Sequence, residues 1–574
     1  MVFAMRLAGL DRIRSLAGDD VTSPDLVDAV LEGAAQFAGG VLAPLNQVGD
    51  REGCTLTGDA VKTPPGFAKA YREWMEAGWN AVPFDPAYGG QGLPWLLAFP
   101  VQEMWQAANM SFGLCPLLTQ GAIEAITRHG SQAQKNFYLE KMISGAWTGT
   151  MNLTEPQAGT DLAAVRTRAV RDGDQYRLFG QKIYITYGEH DFTPNIIHMV
   201  LARIDGAPPG VKGISLFIAP KFLPDANGEP GARNDLRCVS LEHKLGIHAS
   251  PTAVMAYGDN DGAVAFLVGE ENRGLEYMFT MMNNARLSVG LQGVAIAERA
   301  YQQALVYARD RVQGKTLLGG TGIFGHPDVR RMLLHMKASI EAMRGLTYMA
   351  AAALDVVRFS PDEDTRRAAQ ARVELLTPIV KACATDMGCE VASMGVQIHG
   401  GMGFIEETGA AQYVRDARIA PIYEGTNGVQ AGDLAFRKTV RDQGVAAQSF
   451  VAEMRAVAAE ATGIEGLQSI GKALTAGIAA LDPVIDWMVA EGRNAPAKAA
   501  AGAYSYLRLF GLVAGGYVMT QAAIAAASED APFAAAKRAA AQYYADVLLP
   551  GADALAAATI ATHASIAAMP EDQF

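Results

Sequence analysis

Four short stretches hold residue types that can do chemistry. In Ile422-Tyr-Glu-Gly-Thr-Asn-Gly-Val-Gln430 a carboxylate, Glu424, sits between an aromatic residue and a glycine. An apolar wall disfavours the charged form of such a group and raises its pKa. A general base acting on a weak carbon acid needs that. The same word also reads as a helix N-cap with an acidic residue near its start. Met151-Asn-Leu-Thr-Glu-Pro-Gln-Ala-Gly-Thr-Asp161 offers the small hydroxyls of Thr154 and Thr160 beside Gly159, where a backbone can approach a ligand closely. Its plain alternative is a capped loop at a domain boundary. Gly180-Gln-Lys-Ile-Tyr-Ile-Thr186 reads as a strand after a tight turn. Alternation places Tyr184 and Thr186 on one face, a flat ring beside a hydroxyl, fit to flank a planar heterocycle or simply to join a core. Gln397-Ile-His-Gly-Gly-Met-Gly403 exposes backbone N–H groups at paired glycines, suited to a phosphate or to a helix C-cap.

Two tempting readings fail. The other eight histidines form no ligand spacing with His399, so no metal is expected. Gly320-Thr-Gly-Ile-Phe-Gly325 matches G-x-G-x-x-G, but helical segments flank it where the dinucleotide fingerprint needs strands. A nicotinamide enzyme is therefore set aside.

The elements that must position these words change texture along the chain. Residues 24–145 carry helical spacing, as in Leu26, Val30, Ala34 and Phe37, broken at Pro64-Pro65 and from Pro83 to Pro94. From about 150 to 270 short β-rich runs appear: 175–179, 182–186, 196–204, 213–219 and 252–257. They predict a small barrel or sandwich. Helical period returns at about 272, with long helices over 285–311, 329–352 and 369–395. A Gly-rich loop is expected from 395 to 426, the kind of segment that often carries a site. From 445 the chain is Ala-rich and helical. The expected domains are 1–149 (helical), 150–271 (β), 272–444 (helical bundle) and 445–574 (an added helical domain).

Composition bounds the function. The 574 residues are half hydrophobic and carry a net charge of -12, which argues against a nucleic-acid partner. Five cysteines without a C-x-x-C pair suit a reducing compartment, and a cytoplasmic location is expected. No uninterrupted apolar run of about 18 residues occurs, so no membrane span is expected.

In this order the words resemble the acyl-CoA dehydrogenase family, from about residue 60 to 440. The last block resembles the family's long subgroup, as do Tyr187-Gly-Glu-His-Asp191, Leu245-Gly-Ile-His-Ala-Ser-Pro-Thr252, His326-Pro-Asp-Val-Arg330 and Tyr423-Glu-Gly-Thr-Asn-Gly428. The resemblance implies a mainly α fold with a central β domain: a helical N-terminal domain, a barrel-like middle domain, a four-helix bundle and an extra C-terminal helical domain. It implies FAD between the β domain and the bundle, reaching a neighbouring subunit. Leu153 and Thr154 match positions at the flavin ring, Thr160 one near the pyrophosphate, and Tyr184 and Thr186 a Trp and Thr beside the isoalloxazine. Arg311, Gln397 and Gly401 match residues that hold the adenosine half from the other subunit. Met151, Gly159, Gly400 and Thr426 join this cofactor set. Arg286 matches an Arg near the CoA entrance, and Asn283 stands where many relatives carry an Asp that contacts CoA. Tyr423 and Gly425 complete the substrate set.

Glu424 matches the catalytic base. The implied reaction is α,β-dehydrogenation of an acyl-CoA thioester to a 2-enoyl-CoA, with the α-proton going to Glu424 and hydride to flavin N5. The implied substrate is 3-methylmercaptopropionyl-CoA or a short- to medium-chain acyl-CoA. The implied electron acceptor is an electron-transfer flavoprotein, and the implied assembly is a homo-oligomer, dimer or tetramer. An oxygen-using acyl-CoA oxidase shares the fold and the base. A flavin monooxygenase or nitroalkane oxidase usually lacks the Glu, and a non-catalytic acyl-binding scaffold should have lost the base or the flavin contacts.

Overall fold

A computed structural model describes residues 1–225 and 227–573. The chain forms two compact units. One comprises residues 28–93 and 104–285, the other 1–27, 94–103 and 286–574.

The first unit carries the sheet. Its strands are β1 (Trp147–Asn152), β2 (Arg168–Asp172), β3 (Gln175–Thr186), β4 (Asn195–Ile204), β5 (Ile214–Pro220), β6 (Leu236–Leu241), β7 (Thr252–Tyr257) and β8 (Ala263–Leu267). They run in the order β6-β7-β3-β8-β5-β4-β1, with β2 paired to β3 and β4. The β1–β4 pair is parallel, in register at Trp147↔Asn195. Every residue of β1 is buried, which fits a strand covered on both faces. Leu178, Ile185, Val200, Phe217 and Tyr257 pack one apolar core. Helices Phe67–Glu76, Met110–His129 and Gln132–Ile143 belong to the same unit.

The sequence divides β3 with a turn at Gly180, but the strand is continuous. Gly180 has φ +150, and a Cβ there would lie 2.7 Å from Thr167 Oγ1. Glycine serves a close backbone approach here, not a turn. A second departure follows four residues later. Ile185 pairs with Ala253 and Lys182 with Met255, so Ile183 and Tyr184 together oppose Val254. This is a β-bulge, with Tyr184 at φ +60.

The second unit is helical. Helix α1 (Gly274–Asp310) begins in the sheet-bearing unit, and the division falls within it. After it come α2 (Pro327–Phe359), α3 (Glu363–His399), α4 (Ala410–Ala417), α5 (Asn427–Gly432), α6 (Val445–Gly463), α7 (Gln468–Asn494), α8 (Pro496–Ala525), α9 (Ala531–Tyr543) and α10 (Gly551–Ala568), and the helices Val2–Ala8 and Leu10–Ala17 belong to the same unit. Each long bundle helix exceeds its predicted span, because burial of one face sustains helix beyond the residues whose period is clean. The expected loop over 395–426 is correspondingly short of a loop. Helix α3 runs through His399, and a 3-10 turn (Gly400–Phe404) and α4 occupy much of the rest.

Helix α8 is the apolar spine of the C-terminal block, with Tyr506, Leu507, Phe510 and Val513 fully buried. Four helical segments are long and apolar enough, by length and composition, to cross a membrane: Asp19–Glu52, Gln468–Asn494, Pro496–Ser528 and Ala531–Ala568. A search for uninterrupted apolar runs misses them, because scattered polar residues break each run while the window as a whole stays apolar. In Pro496–Ser528, 78% of that window is buried inside the protein itself, as expected of a core helix.

Candidate active site

Glu424 lies in the turn that joins α4 to α5. Its φ is +54, in the left-handed region that side chains with a Cβ rarely adopt. Gly425 follows at φ +85, and a Cβ there would stand 2.7 Å from Gln430 Nε2. The turn is held from several sides. Asn427 N–H donates to Pro421 O at 3.0 Å and closes the loop. Thr426 caps α5, its hydroxyl accepting from Val429 N–H. Gln430 Nε2 donates to the main-chain oxygens of Glu424 (3.2 Å) and Gly425 (3.4 Å). Arg286 Nε makes a long hydrogen bond, 3.4 Å, to the same Glu424 oxygen.

These bonds grip the backbone of Glu424 and leave its carboxylate aside. No hydrogen bond among the described residues reaches the carboxylate oxygens. Burial therefore dominates and pushes the group up to about 7, against the opposing pull of the Arg286 and Lys381 charges. The neighbouring Tyr423 hydroxyl donates to Gln292 on α1. Burial and the Glu424 charge raise that hydroxyl well above the usual phenol range. A carboxyl poised near neutrality can take a proton from a weak carbon acid and release it again.

The remaining sequence-predicted residues fall into two further places. On the sheet-bearing unit, Thr160 and Gly159 are exposed, Leu153 and Thr154 are half-buried, and Met151 is buried in β1. Tyr184 presents its ring outward at 60% exposure, and half-buried Thr186 receives Thr150 Oγ1 on its carbonyl at 2.7 Å. The second place is the end of α3 in the helical unit. Gln397, Gly400 and Gly401 are exposed there, and nothing lies within 4 Å of where a Cβ on either glycine would sit. Arg311 follows the end of α1 and is exposed. His399 is buried, its Nδ1 2.7 Å from Gly395 O and its ring against Tyr307, so it serves packing. Asn283 is exposed on α1. Arg286, matched to a residue near the CoA entrance, lies on α1 beside the turn of Glu424. It is 5% exposed and directed at the base's own carbonyl.

Sequence reading missed several residues around the base. Gln430 and Asn427 stood within the quoted word without a role. Lys381 and Gln292, on other helices, gave no local signal. It also missed Glu155 and Lys182, a buried ion pair at 2.7 Å behind the 151–161 loop.

Comparison with known proteins accounts for most of the chain. Residues 28–146, 150–260 and 272–438 match the N-terminal, middle and C-terminal domains of acyl-CoA dehydrogenase. Residues 450–570 match the domain described as acetyl-CoA dehydrogenase C-terminal like. The 3-methylmercaptopropionyl-CoA dehydrogenase of Ruegeria pomeroyi is 49% identical over 532 residues, 91% of this chain and 90% of that protein. The broad-specificity linear acyl-CoA dehydrogenase FadE5 of Mycobacterium tuberculosis is 35% identical over 82% of this chain and 80% of its own. The solved structure of Caenorhabditis elegans ACDH-11 in complex with C11-CoA covers 94% of this chain with a TM-score of 0.78. At 22% identity it shares the fold, covering 90% of its own chain.

The matched domains, with their sheet between helical regions and a half-buried carboxyl pushed toward neutrality, define a flavin-dependent oxidoreductase. The chain belongs to the acyl-CoA dehydrogenase family. Membership implies FAD, and the residues present fit it. In the sheet-bearing unit an outward aromatic ring at Tyr184, open backbone at Gly159 and the hydroxyls of Thr154 and Thr160 offer stacking, close approach and donors to a planar, phosphate-bearing ligand; in the helical unit Gly400 and Gly401 leave open backbone that suits a phosphate.

Proposed function

We propose that Glu424 is the general base that removes the α-proton of an acyl-CoA thioester, giving a 2-enoyl-CoA. The observation that carries this is a carboxyl raised to about 7 in a left-handed turn whose backbone is gripped by Gln430 and Arg286. Glu424 N–H polarises the thioester carbonyl as charge builds on its oxygen, an oxyanion contact in a water-poor setting. Arg286 holds the base's main chain, and Tyr423 and Gly425 shape the floor beside the reacting carbons. Asn283 meets the CoA portion. FAD, when bound, supplies the acceptor for the hydride that leaves the β-carbon. Met151, Leu153, Thr154, Gly159, Thr160, Tyr184 and Thr186 hold its flavin and pyrophosphate. Arg311, Gln397 and Gly401 hold the adenosine half of a neighbouring subunit's FAD, and Gly400 and Thr426 belong to the same cofactor set.

The acyl chain is short to medium, with 3-methylmercaptopropionyl-CoA as the leading substrate. Support comes from the relative of that name, similar along nearly all of its length. Electrons pass on to an electron-transfer flavoprotein, the protein works as a cytoplasmic homodimer, and its domains run 1–149, 150–271, 272–444 and 445–574.

The test is Glu424→Gln in flavin-loaded protein. Anaerobic flavin reduction by butyryl-CoA and by 3-methylmercaptopropionyl-CoA should fall by roughly 10³-fold or more, given the size of base catalysis with its charge removed. Wild-type bleaching in the variant would overturn the assignment. Peroxide formed without an added acceptor would mark an oxidase.

A further inference from the structure

Lys381 sits in the middle of α3 with no solvent exposure. A buried ammonium is costly unless it is paired and hydrogen-bonded. Its Nζ donates to Asn427 Oδ1 at 2.9 Å. Asn427 is the first residue of α5, three positions after Glu424. Its Nδ2 donates to Asp386 Oδ1 (2.8 Å), Thr385 Oγ1 (3.1 Å) and Ala382 O (3.2 Å), all on α3. Its backbone N–H closes the loop on Pro421. One amide thus joins the base's turn to α3, with the buried lysine as its cationic end.

We propose that Lys381 is a positioning and charge-setting residue for Glu424: through Asn427 it fixes the turn that aims the carboxylate, and its positive charge keeps that carboxylate available in ionised form. This rests on Glu424 being the base. Burial draws the lysine down to about 7, while Glu424 and Asp386 pull it back up and Arg286 pushes it down. The charges of Lys381 and Glu424 each favour the ionised form of the other, so the two titrate as a pair. The charged and titratable groups around the pair are Arg286 on α1, Asp386 on α3, Tyr423 beside the base, and Asp433 and Arg437, which act on Arg286. Asp386 in turn accepts from Tyr504 on α8. Apart from Arg286, Lys381 is the cation that acts on Glu424.

The direction of the effect follows. A positive neighbour lowers a carboxyl pKa, so removing it raises Glu424. At neutral pH less of the base is then ionised, and the reaction slows. At higher pH the base ionises anyway and the rate returns. A lysine that served packing alone would change stability and leave this pH dependence in place.

The experiment measures Glu424 directly in the flavin-loaded protein. The infrared carboxyl band that disappears in Glu424→Gln belongs to Glu424, and its midpoint pH is followed in wild type, Lys381→Met and Lys381→Arg. The midpoint should rise by about one unit or more in Lys381→Met and stay near wild type in Lys381→Arg, as loss or retention of a nearby charge dictates. Flavin reduction by butyryl-CoA should fall about fivefold at pH 7 in Lys381→Met and recover by about pH 9, as a one-unit rise from about 7 dictates. An unchanged midpoint in folded Lys381→Met would overturn the proposal. If that variant does not fold, Lys381→Gln, which keeps a donor without the charge, must show the same rise, and an unchanged midpoint there overturns it equally. The midpoint reports on Lys381 whatever the outcome of the Glu424→Gln activity assay, so failure of the base assignment is told apart from failure of this one.

Discussion

Two glutamates, one in each compact unit, are tuned in opposite directions. Glu155 is 3% exposed behind the 151–161 loop. Its carboxylate accepts from Lys182 Nζ (2.7 Å), Thr167 Oγ1 (2.5 Å), Thr167 N–H (3.0 Å) and Arg166 N–H (2.7 Å). Burial alone would raise it, but the lysine charge and these donors hold it below the ordinary carboxylate range. Glu424 has its donors on the main chain, and burial takes it to about 7. A carboxylate satisfied by several donors anchors structure. One held by its backbone, with its oxygens left to a substrate, is ready to move a proton. The difference lies in where the hydrogen bonds land.

The largest effect should come from breaking the satisfied glutamate. Lys182→Met leaves Glu155 buried without its cation. Breaking a buried pair from one side costs about 3–5 kcal/mol. The variant should show a large fall in thermal midpoint, and denaturant unfolding measures the loss. A loss below about 1 kcal/mol would mean that the backbone and Thr167 donors suffice alone, and the contrast with Glu424 would narrow.

Much of this contrast was hidden from the sequence, for a specific reason. The order of helices, sheet and helices could be read from changes in hydrophobic period. Strand 252–257 was found at its observed bounds, and 196–204 within one residue. Strict alternation, however, puts Lys182, Tyr184 and Thr186 on one face of β3. The bulge at Ile183–Tyr184 separates them. Lys182 is fully buried and Tyr184 is 60% exposed. A bulge depends on the partner strand and leaves no local mark. The word around Glu424 was legible because its residues are contiguous. Lys381 and Gln292 were not, because the fold alone brings their helices to that turn. Arg286 was noticed as a residue, but its target, a main-chain oxygen, has no sequence signature.

A smaller effect, of opposite sign, should come from removing the charge on the poised glutamate. A carboxyl whose folded pKa exceeds its unfolded value supports the fold fully below the unfolded pKa. That support is lost as pH rises through the folded value. For Glu424 the window runs from the ordinary value of 4.5 to about 7. Glu424→Gln should therefore be more stable than wild type at pH 8, by on the order of 1–3 kcal/mol, since each pKa unit is worth about 1.4 kcal/mol and Lys381 loses its counter-charge. The gain should vanish near pH 4.5. Denaturant unfolding at the two pH values checks it. Equal stability at both would show that Lys381 and Arg286 already compensate the burial of the charge. Glu155 should behave inversely, its contribution present at neutral pH and lost as pH falls through its depressed folded value.

The smallest effect tests how far the base's surroundings extend. Tyr504, on α8 of the C-terminal block, donates to Asp386 Oδ2 at 2.5 Å. Asp386 receives Asn427 on its other oxygen, and Asn427 receives Lys381. The added domain thus reaches the network of the base through this hydroxyl. That hydroxyl is on a residue 41% exposed, where water replaces much of what is lost. Tyr504→Phe should cost about 0.5–1 kcal/mol of stability. The Glu424 infrared midpoint should move by less than about 0.3 units, because the neutral hydroxyl acts through two intermediate residues and carries no charge of its own. A shift as large as that of Lys381→Met would place control of the base's charge in the C-terminal domain. The contrast between the two glutamates would then depend on a helix that the sequence marks only as apolar.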